Sequence, residues 1–392
     1  MSKKISPIKD FSVLKPHFYS LILPYFTLDT YRIYGNNITQ AFTMQTDRDL
    51  SFDAFRGIAI IAVIAIHAAA TGFLENQALS DGNGIYFRVA YFQPLLFAIP
   101  AFIFMAGYWA AKRPVNTIGD YKAFLARKLP RILLPYLFWS LVIFGFKAVK
   151  LRNPDAYSMI VALLTGRACF TYYFIVLIAQ LYVVTPALQY INRSVYGPIS
   201  VLVLNAAVLL ALYLLNIYHG VGGLSTYWLF CVWIIFYEVG LVAGSRDNKF
   251  VLQKKRFFVL SALLASLLLS VAEGIVWVSR YDNLSLAIAP IKYSSFIYSG
   301  CVILGFLAVR ESIKRWPGIL VAVGNYSYGI YLIHIFILAR VIVIVQKINI
   351  LRSFPPASQL VIILATLSAS FILISLTRKL LPETFCRRVL GF

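Results

Sequence analysis

The stretch FDAFRGIAIIAVIAIHAAA, Phe52 to Ala70, has Asp53 and Arg56 as its formal charges, both at its start, and one further ionisable side chain, His67, near its end. As an α-helix at about 1.5 Å per residue it nearly matches the roughly 30 Å hydrocarbon core of a bilayer. It reads as a membrane span. The composition around it agrees: of 392 residues, 60% are hydrophobic, 16% aromatic and only 13% charged, too few charges to cover a water-facing surface. A bilayer removes that requirement, because hydrocarbon replaces water around most of the exterior.

Working outward with a window of about 19 residues, further apolar stretches fall near 91–111, 130–149, 170–190, 197–218, 224–244, 257–278, 286–309, 318–345 and 359–381. With 52–72 they make ten predicted spans, and the fold class is an all-α polytopic membrane protein. Residues 155–166 are apolar but too short to cross and read as an interfacial or re-entrant helix. Residues 1–48 form a polar and aromatic tail, broken by Pro24 and suited to the cytoplasm or the membrane surface. The transmembrane domain is then 49–381, and 382–392 a cytoplasmic tail. No cleavable signal peptide is expected, since MSKKISPIKDF lacks a continuous apolar core.

The net charge of +21 comes from short clusters between apolar stretches. They read as topology signals, and no nucleic-acid partner is expected. With both termini cytoplasmic, the inner loops and tail hold nineteen Lys and Arg against eight outside, the bias of the positive-inside rule. The 147–167 loop runs against it. Cys169, Cys231, Cys301 and Cys386 are scattered, with neither CxxC nor metal-ligand spacing, so neither a disulfide framework nor a metal site is expected.

Arg56 and His67 are eleven residues apart, and eleven steps of about 100° return a helix to within roughly 20° of its starting azimuth. They share one face and differ in depth by about 16 Å. An arginine at the inner end of a span also serves as a snorkelling anchor. A histidine fifteen residues in cannot snorkel so easily, and intramembrane ionisable groups are functional candidates by default. In GNYSYGIYLIHIF, Gly324 to Phe336, Ser327, Tyr331 and His334 fall at i, i+4 and i+7, a polar stripe with Tyr328 beside it. His334 lies about as deep as His67, which permits one shared cavity; interhelical hydrogen bonding alone is the other reading. RKLPRILLPYLFW, Arg127 to Trp139, places Lys128 and Arg131 one turn apart, with Pro130 and Pro135 disturbing the start of the third span.

These residues resemble the membrane acyltransferase-3 family, whose members O-acylate cell-surface polysaccharides. The arginine, ten residues and histidine of the first span, preceded by the aspartate of DAFRG, match its signature. IPAFIFMAGYWAAKR (Ile99–Arg113) resembles the family's second span and RKLPRILLPYLFW its basic pair before Pro-Tyr. YYFIVLIAQLYVVTPAL (Tyr172–Leu188) resembles its fourth span, and GNYSYGIYLIH its late Tyr-and-His helix. The likeness covers roughly 50–380. Two positions depart. Ala106 replaces the usual serine before Gly-Tyr, which excludes a serine acyl-enzyme there. The family's two arginines align with Lys128 and Arg131, while Arg127 offers an arginine one position early. No hydrolase-like domain is expected after the tenth span.

The resemblance implies a membrane O-acyltransferase moving an acyl group, acetyl first among candidates, from cytoplasmic acyl-CoA to a glycan hydroxyl. His67 is the expected general base or transient acyl carrier. Arg56, Lys128, Arg131 and Arg127 are expected to hold the phosphates of acyl-CoA, a donor substrate and not a resident cofactor. Asp53 orients Arg56 by an i, i+3 pair. Ser327, Tyr328, Tyr331 and His334 are expected at the acceptor or the oxyanion. The expected partners are membrane lipid, a surface or lipid-linked glycan and polysaccharide synthesis or export machinery. The expected location is the bacterial cytoplasmic (inner) membrane, multi-pass. The competing reading is a transporter of a lipid-linked or polysaccharide substrate, which buried His, Glu and Arg would also suit. Glu238, Glu273, Lys292 and Arg340 find no counterpart in the resemblance.

Overall fold

The computed structural model describes residues 49–70, 82–150, 155–219, 226–245, 256–313, 315–352 and 355–392. The chain divides into Met1–Asp49 and Leu50–Phe392, and all the described helices belong to the second unit. The predicted tail 1–48 lies outside the described residues.

Among the described residues the structure is helical, without strands. α1 is Leu50–Ala68. α2, Gly82–Phe92, runs through a 3-10 turn at Gln93–Leu95, where Pro94 sits, into α3, Ala98–Ala111. α4 is Ile118–Lys150, α5 Ala156–Thr165, α6 Tyr173–Ile191, α7 Gly197–His219 and α8 Phe230–Ser245. α9, Arg256–Tyr281, is followed by the single turn α10, Leu284–Ala287, and by α11, Tyr293–Val309. α12, Gly318–Asn325, precedes α13, Ser327–Val345. The turn α14, Asn349–Arg352, precedes α15, Pro355–Leu380, and the turn α16, Glu383–Phe385, leads into a π-turn at Cys386–Leu390.

Among the described residues, eight helices are long and apolar enough to cross a membrane. They account for eight of the ten predicted spans. The other two, α8 with 16 residues and α11 with 17, are shorter, about 24–26 Å at 1.5 Å per residue, less than the hydrocarbon core they were expected to cross. α5 has the predicted shortness, with 10 residues. Asp155 caps its start by accepting from the Tyr157 and Ser158 amides, and Gly166, at φ 74°, ends it in the left-handed region.

Three boundaries differ from the pattern. The predicted 130–149 span begins twelve residues earlier, because α4 carries Pro130 and Pro135 in its interior without ending. A proline removes one amide donor; in that disturbed stretch the Tyr328 hydroxyl donates to the Ile132 carbonyl at 2.7 Å. The predicted 318–345 span breaks at Tyr326, between α12 and α13. The second span begins earlier than 91, in α2.

Two glycine crossings set the bundle. Between α1 and α12, a Cβ on Gly57 would collide with the Leu320 carbonyl, and one on Gly324 with the Asp53 carbonyl. Between α3 and α8, a Cβ on Gly107, Gly240 or Gly244 would likewise collide with the backbone of the facing helix. Small residues permit such approach where hydrocarbon supplies no drive to associate. Phe52, Phe104, Tyr108 and Phe306 fill the space between, with Phe52 ring contacts of 4.4–6.3 Å. The Cys386–Leu390 turn packs back on α4: Trp139 Nε1 donates to the Leu390 carbonyl at 3.1 Å, and its ring lies 6.1 Å from Phe392.

Candidate active site

α1 carries both ends of the site. At its start Arg56 Nη1 donates to Asp53 Oδ1 at 2.9 Å, with Asp53 buried and Arg56 partly exposed, the expected i, i+3 pair. Three turns on, His67 meets two rings from other elements. Its imidazole lies 5.4 Å from that of His334, tilted by 36°, and 5.2 Å from the Phe170 ring, edge-on. The Gly57–Gly324 crossing makes this possible, because it seats α12 on α1 and starts α13 beside it.

His334 is fully buried, and its Nδ1 lies 2.7 Å from the Tyr331 carbonyl oxygen. A carbonyl only accepts, so Nδ1 carries a hydrogen and the neutral ring keeps its lone pair on Nε2. That Nε2 is buried and has no hydrogen-bond partner among the described residues. A buried acceptor left unpaired is costly, and a donor on a bound ligand would relieve it.

The phenols around it are engaged with backbone. The Tyr331 hydroxyl donates to the Thr171 carbonyl, and Tyr172 to the Leu332 carbonyl at 2.7 Å. Together with the Tyr328 bond to α4, these fix α13 in position. Tyr331 remains beside the imidazoles, its ring 5.9 Å from His334. Ser327 is buried at the start of α13, about 10 Å along the axis from His334 at 1.5 Å per residue, so the helix does not bring it to the imidazoles.

At the other end of α1 the cations gather. Lys128 lies within electrostatic reach of Arg113, Arg131, Arg56 and Arg127, and its Nζ sits 5.4 Å from the centre of the Tyr182 ring. Tyr182 in turn senses Arg56 and Arg131. Asp53 pairs with Arg56, and Asp120 lies within electrostatic reach of Arg127. Among the described residues no carboxylate forms an ion pair with Arg113, Lys128 or Arg131. Cations held together without matching carboxylates form a site for a polyanion. Arg113 and Tyr182 were missed by the sequence reading. Arg113 was counted only as a topology charge, and what adds it to the cluster is the packing of α3 and α4 around α6, which spacing along the chain does not encode.

Three further ionisable groups stand apart from this site. Lys292 is fully buried and donates to Gln93 Oε1 at 2.8 Å and to the Ser270 and Ala287 carbonyls at 3.2 and 2.7 Å. Glu273 accepts from Tyr213 at 2.5 Å, from Trp277 at 3.2 Å and from the Ser294 amide at 3.1 Å. Glu238 is buried facing Asn192 without a well-formed hydrogen bond.

The family model described as an acyltransferase domain, that of the acyltransferase-3 family, matches residues 49–375. The chain belongs to the acyltransferase-3 family. It is a membrane acyltransferase, and the matched range contains every site residue from Asp53 to His334. It is also 25% identical over 303 residues, 72% of this chain and 78% of the other, to the Bacillus subtilis (strain 168) protein named "Putative membrane-bound acyltransferase YfiQ". No solved structure matches.

Proposed function

We propose that this acyltransferase-3 protein is an O-acyltransferase of the bacterial cytoplasmic membrane. It takes the acyl group of a cytoplasmic acyl-CoA, acetyl-CoA first among donors, and passes it to a hydroxyl of a surface, exported or lipid-linked glycan. The reading rests on one observation: a cation cluster with few carboxylates and a pair of contacting imidazoles stand at opposite ends of one face of α1. With both termini cytoplasmic, the cluster opens to the cytoplasm and the imidazoles lie toward the other side.

In this mechanism the phosphates of the donor rest on Arg56, Arg113, Arg127, Lys128 and Arg131 by charge-assisted hydrogen bonds. The pantetheine arm follows the Arg56 face for about 16 Å, eleven residues at 1.5 Å each, and brings the thioester to His67. His67 takes the proton of the acceptor hydroxyl as its oxygen attacks the thioester carbonyl carbon. The new C–O bond forms, the C–S bond breaks, and the thiolate leaves with the proton from His67. The imidazolium formed midway stands beside the tetrahedral oxyanion and stabilises it. His334, held in one tautomer by Tyr331, presents its Nε2 lone pair to a proton of the acceptor or of His67. The tyrosines position these groups through backbone bonds.

The test uses purified protein in liposomes with acetyl-CoA labelled in its acyl group and a glycan acceptor. Labelled glycan and one free thiol per acyl group transferred are expected. Absence of thiol release with acetyl-CoA and with other short acyl-CoA donors would overturn the reading.

A further inference from the structure

Arg340 takes no part in the acyl-transfer site. It lies six residues beyond His334, and six steps of about 100° turn it some 120° away from the imidazole. There it lines a groove of about 1280 Å³ between α4, α13 and α15, whose walls are otherwise almost wholly apolar. Small-molecule sites span about 300–1000 Å³ and place several polar groups on their ligand; this groove is larger and offers one cation.

Its dimensions match one leaflet. On α13 the lining runs from Ile333 to Ile344, about 16 Å at 1.5 Å per residue, half of the roughly 30 Å hydrocarbon core. One end is closed by Trp139, packed 6.0 Å from Phe336 and 6.1 Å from Phe392. Toward the other end stands Arg340, exposed and without an ion-pair partner among the described residues. It precedes the end of α13 by five residues, about 7.5 Å, a span its long side chain covers to reach headgroup level. A guanidinium in hydrocarbon is expensive unless paired, and its fork fits two oxygens of a phosphate.

We infer that this groove is a binding site for one anionic glycerophospholipid of the leaflet at the C-terminal end of α13. Its acyl chains lie along Ile333–Ile344 between Phe146 and Leu373, and its phosphate sits on Arg340. The inference is independent of the acyl-transfer reading, since none of the groups assigned to that chemistry lines the groove.

The experiment reconstitutes the protein in membranes of equal parts phosphatidylglycerol and phosphatidylethanolamine, extracts it into detergent, and counts retained lipid by native mass spectrometry. One retained phosphatidylglycerol per protein is expected. Arg340→Ala, which faces lipid and leaves the packed interior alone, should lower the retained fraction at least tenfold, and Arg340→Lys should keep part of it. Ala369→Trp fills the groove and should expel the lipid with Arg340 intact. Retention in Arg340→Ala equal to the parent would overturn the inference, as would equal retention of phosphatidylglycerol and phosphatidylethanolamine by the parent protein.

Discussion

His67 and His334 stand 267 residues apart in the chain and 5.4 Å apart between ring centres. Each was legible as a costly polar group inside a span, and their matching depth suggested a shared cavity. The tautomer of His334 was not legible, because it depends on one bond to a backbone carbonyl. Nor were the partners of the tyrosine hydroxyls, which depend on how α13 packs and not on the i, i+4, i+7 spacing. Two substitutions distinguish proton transfer from donor binding. His334→Asn keeps a donor near the Nδ1 position and removes the Nε2 lone pair; turnover should fall by roughly a hundredfold, within the range for losing one proton-transfer group, with little change in KM for the donor. Arg56→Ala removes the proposed phosphate contact and the Asp53 pair, so KM for acyl-CoA should rise by about tenfold or more, the equivalent of a charged hydrogen bond. Steady-state kinetics on the two variants separates the roles.

At the scale of elements, apolar run length was the strong signal. It located all eight described helices that are long enough to span, and it overestimated α8 and α11, which begin at Phe230 and Tyr293, inside the apolar runs predicted from 224 and 286. The start of α4 was placed too late, because the helix runs back from the apolar stretch through Pro130 to Ile118 without ending. The glycine crossings were invisible to hydropathy, because a glycine at an interface and one facing lipid score alike. Gly324→Ala drives a methyl into the Asp53 carbonyl, so thermal unfolding in detergent should show a loss of about 1–3 kcal/mol, the usual cost of overpacking. Tyr328→Phe removes the hydroxyl that bonds Ile132, and should cost about 1 kcal/mol while leaving turnover within a few-fold of the parent. A large loss of turnover at unchanged stability would instead place that hydroxyl in the chemistry.

Across the whole molecule, the charge of +21 falls in short clusters between apolar stretches, and the fold concentrates one part of it around Lys128. Several cations around one polyanion make donor affinity sensitive to ionic strength, since screening sets in beyond about 10 Å at 0.1 M salt. KM for acyl-CoA should therefore climb as salt is raised from low to physiological levels, more steeply than in Lys128→Ala. The central claim is that the donor is held at one end of α1 and consumed at the other. The most direct measurement pairs acyl-CoA binding with thiol release in His67→Ala, reconstituted beside the parent protein. The expected result is binding within a few-fold of the parent and release reduced by roughly a hundredfold to ten-thousandfold. Transfer to the acceptor at near-parent rates in His67→Ala would contradict it.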